Sequence, residues 1–227
     1  MPQESGPEPE LDFEAEGSGS GEADLRGQLV KCMKNLHARG LITGSGGNAS
    51  VRIKGTREML ITPSALYKGD LKPGSIVKMD LEGNVLDGAK PSIEWHFHAA
   101  IYRRRDDVNA VIHTHSPMTM GLALAGKKIE PITAEAVVML GDVPILEFKY
   151  SGTGELGGLV GENIPGHSAL ILQNHGVIAV GFDLVGALTV AEVLEEVSTM
   201  TFVASHFGGA KLIPRDQIEL IRRLYKG

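Results

Sequence analysis

Two histidines stand two residues apart at the end of an apolar segment, in the sequence AVIHTHSP at residues 110–117. Residues two apart on a β-strand point to the same face, so a strand here places His113 and His115 side by side. On a helix this spacing splays two side chains, and we therefore expect His96 and His98, in a predicted helix, to share no ion. The strand pair can supply two imidazole ligands to one metal, although such a pair also occurs as plain polar decoration at strand ends.

A third histidine strengthens the case for a metal site. His175 lies in LILQNHGVIAVG at residues 170–181, in a turn between two predicted strands. The turn ends in Gly176 and directs the imidazole outward from the sheet. Three histidines with one open position are the usual ligand set of a catalytic zinc ion. The ligand types suit Zn²⁺, one per chain, and do not exclude cobalt or manganese.

Glu94 is the candidate carboxylate beside this metal. It lies in PSIEWHFH, in the first turn of a helix predicted from Ser92 to Arg105, where the helix dipole favours the ionised form. His98 is one turn further along the same face and is expected to orient the Glu94 carboxylate. The alternative is an ordinary helix-start glutamate next to a surface histidine.

Three turns rich in small residues indicate a phosphate site. They are GSGGNAS at 44–50, ITPSA at 61–65 and KPS at 90–92. Glycine lets backbone N–H groups converge on an anion, and a helix N-terminus also attracts phosphate. None of these turns matches the P-loop or the dinucleotide fingerprint. Together with a metal site they predict a small phosphorylated substrate.

The periodicity predicts a mixed α/β domain. Strands are predicted at residues 50–53, 59–61, 76–80, 108–115, 143–148, 169–173 and 177–180, with a hairpin at LEGNVLDG. Helices are predicted from Asp24 to Gly40, from Ser92 to Arg105, after an Asp183 N-cap, and after Pro214. No strict βαβ rhythm is present, which favours a sheet with helices on its faces and at least partly antiparallel pairing.

The charge pattern separates a tail from a domain. The net charge is −6, but residues 1–24 hold eight acidic side chains and no basic one, which leaves 20 acidic and 22 basic residues in the remainder. We therefore predict a disordered acidic tail at residues 1–23 and one domain at 24–227. A near-neutral domain without a basic cluster argues against nucleic-acid binding.

The remaining composition points to the cytoplasm. No segment has the length of apolar residues needed to span a bilayer, and the N-terminus lacks the features of a secretory signal. Cys32 is the single cysteine, which excludes an internal disulfide and suits a reducing compartment. It lies in the apolar stripe of the first helix, where packing explains it.

Several of these segments together resemble a known family. GNASVR (47–52), ITPSA (61–65), PSIEWHFHAAIY (91–102), AVIHTHSP (110–117) and QNHG (173–176) have the order and spacing of the class II aldolase/adducin family. The chain most resembles the L-fuculose-1-phosphate aldolases of that family, over about residues 25–225. The resemblance implies a single three-layer αβα domain around a mostly antiparallel sheet. It also implies a homotetramer with active sites between subunits.

The resemblance assigns roles residue by residue. It implies a zinc-dependent lyase that cleaves a ketose 1-phosphate reversibly into dihydroxyacetone phosphate and an aldehyde. Glu94 matches the glutamate that is both a resting-state metal ligand and the catalytic acid/base. The zinc ligands match His113, His115 and His175, and the phosphate-binding positions match Gly47, Asn48, Ser64, Ala65, Ser92 and Ile93.

Two departures from the family pattern leave the reaction open. The family aldolases have serine where this chain has Ile93, and a tyrosine acid in the segment that corresponds to residues 130–142, which contains none here. Glu135 lies close to that place, and Tyr225 near the C-terminus can act across a subunit boundary. A dehydratase, a decarboxylase or an epimerase of the same family is therefore the main alternative. A non-enzymatic adducin-like module is less favoured because all four candidate metal ligands are present.

Overall fold

A computed structural model describes residues 21–225. Within them the helices are α1 (Glu22–Ala38), α2 (Trp95–Arg104), α3 (Pro117–Leu124), α4 (Ala134–Met139), α5 (Gly154–Asn163), α6 (Leu184–Ser205) and α7 (Arg215–Leu224). The strands are β1 (Asn48–Arg52), β2 (Glu58–Ile61), β3 (Val77–Asp80), β4 (Val85–Asp87), β5 (Ala110–Thr114), β6 (Ile145–Leu146), β7 (Ala169–Leu172) and β8 (Gly176–Gly181).

The strands form one sheet in the order β4-β3-β2-β1-β5-β8-β7-β6. Neighbouring strands are antiparallel except for the parallel pair β6 and β7. The predicted, mostly antiparallel sheet is therefore confirmed. Strand β5 is near the middle, where His113 stands opposite Asn48 of β1 on one side and Ile178 of β8 on the other.

Side chains alternate between the two faces of the sheet and define three layers. In β5, Val111 packs with residues of α2 and α5, whereas Ile112 packs on the opposite face with residues of α1. In β8, Val177 joins a cluster with α6 residues on that second face. A period-2 pattern with both faces apolar is typical of a strand covered on both sides. The predicted three-layer αβα domain is confirmed.

Several predicted element ends were shifted. Helix α1 begins at Glu22 rather than Asp24, after Gly21, which provides no side-chain cap. Strand β5 ends at Thr114, so His115 lies just past it, and α2 begins at Trp95 rather than Ser92. The Asp183 cap is confirmed, since its Oδ1 accepts a hydrogen bond of 2.7 Å from the N–H of Gly186.

Helices α3, α4 and α5 lie in segments for which the sequence predicted no helix. The α5 segment, GELGGLVGEN, contains four glycines, which disfavour a helix on intrinsic propensity. Its glycines allow close approach to α2, because a Cβ on Gly157 would lie 3.1 Å from His96 and one on Gly161 would lie 3.2 Å from Ala100. Tertiary packing therefore outweighs propensity in this helix.

Cys32 lies in the core on α1, as predicted. Burial, together with the charge of Glu192, raises the pKa of the Cys32 thiol to about 12, so it stays protonated and unreactive at neutral pH. None of the helices in the described range is both long enough and apolar enough to cross a membrane. The predicted acidic tail lies outside the described residues, apart from its last three positions.

Candidate metal centre and phosphate-binding turns

Strand β5 and the turn between β7 and β8 bring three histidines together. His113 is fully buried near the end of β5, and the backbone N–H of His115, one residue past the strand, donates to the carbonyl of Leu41 at 2.9 Å. The Nε2 atoms of His113 and His115 are 3.2 Å apart. One ring nitrogen from each of these two and from His175 can be chosen so that all three lie within 4.8 Å of one another.

The hydrogen bond at the other side of the His113 ring fixes its tautomer. His113 Nδ1 lies 3.0 Å from the carbonyl oxygen of Val177, which can only accept, so Nδ1 carries the hydrogen. Burial, the largest effect, lowers the pKa of His113 to about 4, and the ring is neutral at pH 7. Its Nε2 therefore presents a lone pair to His115 Nε2.

These nitrogens suit a shared divalent cation. Two nitrogens bound at about 2.0–2.1 Å to one tetrahedral zinc ion lie roughly 3.3 Å apart. The 3.2 Å between His113 and His115 matches that separation without any rearrangement. The histidine cluster can bind a metal ion.

The carboxylate of Glu94 lies beside two of these histidines. Glu94 occupies the N-cap position of α2, just before the helix rather than within its first turn. Its Oε2 lies 3.3 Å from His113 Nε2, and its Oε1 lies 2.8 Å from His175 Nε2. The structure thus brings together the four residues that the sequence suggested as metal ligands. Glu94 lies one residue before the helix, whereas the sequence placed it in the first turn.

The carboxyl group of Glu94 is held in its ionised form. Burial alone raises its pKa, but His113, His175 and the hydroxyl of Ser151 outweigh burial, and the pKa is lowered well below its usual range. A buried carboxylate with three imidazoles beside it is a ligand set that a divalent cation completes.

Ser151 is a member of the site that the sequence did not predict. Its hydroxyl donates a hydrogen bond of 2.5 Å to Glu94 Oε1. It lies in the segment between β6 and α5, beside Gly152. A positive φ of 73° favours glycine there, and a Cβ on Gly152 would lie 3.2 Å from the Ile93 carbonyl oxygen. A single serine in a loop has no periodicity or spacing that marks it, so sequence reasoning had no signal to find it.

His98, expected to orient the Glu94 carboxylate, is linked to it through Asn48. His98 is fully buried and its Nε2 lies 2.6 Å from Oδ1 of Asn48, while Asn48 Nδ2 donates to Glu94 Oε2 at 2.7 Å. His98 therefore reaches the carboxylate through Asn48. The Asn48 side chain thus contacts both Glu94 and His98.

The first of the three turns adjoins the metal site. Gly46 packs against His115, since a Cβ there would lie 2.8 Å from His115 Nδ1. Gly47 has a positive φ of 72°, and a Cβ on it would lie 2.3 Å from the Ile42 side chain, so only glycine fits. The backbone of this turn thus runs beside the histidines.

The second and third turns are joined to each other. Ser64 Oγ donates to the carbonyl of Pro91 at 2.6 Å, and Pro63 and Pro91 form a β-bridge. Ala65 follows with a positive φ of 59°. Ser92 is buried and its Oγ accepts from the N–H of Glu94 at 3.3 Å, whereas Ile93 is 53% exposed. The Ser92 turn is thus adjacent in the chain to the Glu94 carboxylate.

The two candidates for a second acid/base lie outside this cluster. Glu135 is exposed on α4 and lines a cavity of about 430 Å³ with Leu41 and Glu196, and none of the three clustered histidines lines that cavity. Tyr225 follows the last residue of α7 and is 69% exposed. Neither makes a hydrogen bond to Glu94 within residues 21–225.

Comparison with known proteins identifies the family. Residues 27–202 match the class II aldolase and adducin N-terminal domain, and the chain belongs to this family. It is 38% identical over 176 residues to an L-fuculose phosphate aldolase of Methanocaldococcus jannaschii, which covers 78% of this chain and 94% of that protein.

Two further comparisons agree with this assignment. The chain is 36% identical over 204 residues to a 5-methylthioribulose-1-phosphate/5-deoxyribulose-1-phosphate aldolase of Rhodospirillum rubrum, over 89% of this chain and 91% of that protein. Its fold matches a solved L-fuculose 1-phosphate aldolase with a TM-score of 0.85 and 32% identity, over 93% of this chain and all of the other. The resemblance inferred from the motifs is confirmed.

Proposed function

We propose that the protein is a zinc-dependent aldolase that cleaves a ketose 1-phosphate reversibly into dihydroxyacetone phosphate and an aldehyde. The observation that carries the proposal is the convergence of His113, His115 and His175 with the carboxylate of Glu94. Relatives named as L-fuculose phosphate and 5-deoxyribulose-1-phosphate aldolases support the substrate class.

The three imidazoles and Glu94 would hold the cation. When bound, a divalent cation supplies Lewis-acid stabilisation of the negative charge that develops on substrate oxygen during cleavage. Glu94 would move the proton at the carbon that loses its bond to the aldehyde half, which is general acid–base catalysis. Ser151 and Asn48 each donate to one oxygen of Glu94, so the carboxylate keeps its orientation without a charged partner.

The burial of Lys68 is evidence that the substrate carries a phosphate dianion. Lys68 is 3% exposed, its Nζ donates to the carbonyl of Pro63 at 2.9 Å, and its backbone N–H donates to Gly44 at 2.7 Å. No carboxylate of the described range pairs with this ammonium group, whose pKa burial lowers. A buried cation without an anion is unfavourable, and a phosphate bound at the adjoining turns would offset that cost.

Replacement of the Lys68 ammonium group gives a direct prediction. Lys68→Met should raise KM for a phosphorylated ketose about tenfold or more, the effect expected from the loss of a charge-assisted interaction. Lys72→Met removes an exposed lysine four residues away and should leave KM unchanged. Steady-state kinetics of both variants measure this, and an unchanged KM in Lys68→Met would contradict a role for Lys68 at the phosphate.

The proposed reaction is tested by a product assay. Zinc-loaded protein is incubated with 1-phosphates of fuculose, rhamnulose and 5-deoxyribulose, and released dihydroxyacetone phosphate is measured with a coupled dehydrogenase. The proposal expects it from at least one of the three. Two further assays cover the alternatives that Glu135 and the tyrosine-free segment 130–142 favour. Dehydrated product is measured with the same ketose phosphates, and carbon dioxide is measured with 3-oxo-tetronate 4-phosphate, the substrate named for a decarboxylase relative. Either product without dihydroxyacetone phosphate would replace the aldolase reaction.

We also propose a homotetramer whose active sites lie near subunit boundaries. Large apolar side chains are exposed in the last part of the described residues. They are Phe202 and Val203 on α6, Phe207 just past that helix, Leu224 on α7 and Tyr225 just past α7. Such a surface is typical of a contact between copies of a chain. Sedimentation analysis at several concentrations tests this, and a monomer at all of them would refute it.

A further inference from the structure

A buried chain of hydrogen bonds runs from Glu94 into the core between the sheet and α2. Beyond Asn48 and His98, His98 Nδ1 lies 2.7 Å from Ser50 Oγ, which lies 2.8 Å from the hydroxyl of Tyr102. These residues are 3%, 0%, 0% and 1% exposed in the order Asn48, His98, Ser50 and Tyr102.

The hydrogen bond from Asn48 Nδ2 to Glu94 Oε2 sets the direction of every bond in this chain. Because the Asn48 amide nitrogen donates to Glu94, its oxygen faces His98 and can only accept. His98 then has to donate from Nε2. Burial, the largest effect, lowers the pKa of His98 to about 3, so the ring is neutral and its Nδ1 accepts from Ser50.

The hydrogen bonds at the far end, between Ser50 and Tyr102, run in the same direction. Since Ser50 donates to His98, its oxygen accepts from the Tyr102 hydroxyl, which burial keeps protonated by raising the pKa of Tyr102. A flipped Asn48 amide would place its oxygen against the Glu94 carboxylate and its NH₂ against the N–H of His98. Both contacts would be repulsive, so the chain permits one orientation of Asn48.

We propose that Asn48, His98, Ser50 and Tyr102 are positioning residues that hold the Glu94 carboxylate in one orientation through a one-directional chain of hydrogen bonds. The inference rests on the proposed role of Glu94 as acid/base. In this proposal the four side chains act on the reaction through Glu94. They fix the orientation of the Asn48 amide, whose N–H donates to Glu94 Oε2. Ser151, from a separate loop, donates to Oε1.

The first test determines the direction of the hydrogen-bond chain from the tautomer of His98, without any substrate. In zinc-loaded protein labelled with ¹⁵N-histidine, NMR should show His98 neutral with its hydrogen on Nε2 between pH 5 and pH 8. A hydrogen on Nδ1, or a doubly protonated ring, would overturn the proposed direction. A protein that cleaves no ketose phosphate but shows the Nε2–H form would refute the aldolase reaction and leave the hydrogen-bond chain intact.

The second test compares two replacements of similar size. His98→Gln keeps an N–H donor near the Nε2 position, whereas His98→Leu keeps none. We expect His98→Leu to lower kcat about 10- to 100-fold, the range for partners that orient a catalytic or metal-binding group, with KM and bound zinc near wild type. His98→Gln should recover most of kcat.

A purely structural role predicts a different pattern. Equal losses of kcat in His98→Leu and His98→Gln, or a full rate in His98→Leu, would overturn the proposal. Should His98→Leu fail to fold, Tyr102→Phe removes only the last hydroxyl of the chain. It should lower kcat with KM unchanged, and an unchanged kcat in Tyr102→Phe would then overturn the proposal.

Discussion

Glu94→Gln is expected to retain the bound metal and to lose turnover by about 10²- to 10⁴-fold, the range typical of a general acid/base. The amide has nearly the shape of the carboxylate, so the three imidazoles can still hold the ion. It cannot take up and return a proton at neutral pH. Rates of dihydroxyacetone phosphate release, normalised to metal content, measure the loss.

The matched control is Glu82→Gln, which changes a half-exposed glutamate that pairs with Arg57 on the surface. Its rate should stay near that of wild type, because surface ion pairs contribute little to stability. A Glu94→Gln rate close to wild type would remove Glu94 from the chemistry. A variant without metal would instead show that Glu94 acts mainly as a ligand.

The second large effect concerns the histidines themselves. His175→Ala and His113→Ala should each weaken metal binding by more than the roughly 10- to 100-fold caused by the loss of a ligand's hydrogen-bonded partner. After dialysis, their metal content should fall far below one ion per chain. His113 is the more severe case, because its fully buried ring also donates to the Val177 carbonyl.

His206→Ala serves as the control for histidine removal. His206 is exposed after the end of α6, where its ring contacts Phe202, and it has no place in the cluster. Its metal content should equal that of wild type. Elemental analysis of the three variants in parallel measures the result, and full occupancy in His175→Ala would contradict the ligand assignment.

The sequence predicted the histidine cluster because its geometry follows from local rules. Alternation along a strand predicts that His113 and His115 lie on one side, and their ring nitrogens do meet although His115 lies one residue past the end of β5. A short turn between two apolar segments must present His175 at a sheet end. Glu94 was proposed from its place in the first turn of a helix predicted from Ser92, whereas α2 begins at Trp95, one residue after Glu94.

The contacts that complete the site depend on distant segments. Ser151 approaches Glu94 across 57 positions of sequence and Asn48 across 46, and no local pattern relates such residues. His98 was expected to orient Glu94 because the two share a helix face. The sequence could not show that Asn48 of β1 lies between them, which follows from the pairing of β1 with β5 beside His113.

The helices that the sequence missed have a related cause. The glycines of α5 oppose a helix locally, and their value is apparent only when α2 packs against them. Similarly, Lys68 carried no signal in the sequence. Its lack of an acidic partner becomes informative only once its burial next to the turns at Gly44 and Pro63 is known.

The central claim is that His113, His115 and His175 bind one divalent cation together with Glu94. X-ray diffraction from crystals of the zinc-loaded protein, with data collected at the zinc absorption edge, tests it most directly. We predict one anomalous peak per chain at about 2.0–2.1 Å from a nitrogen of each of the three histidines. Zinc bound elsewhere, with these histidines left uncoordinated, would contradict the assignment.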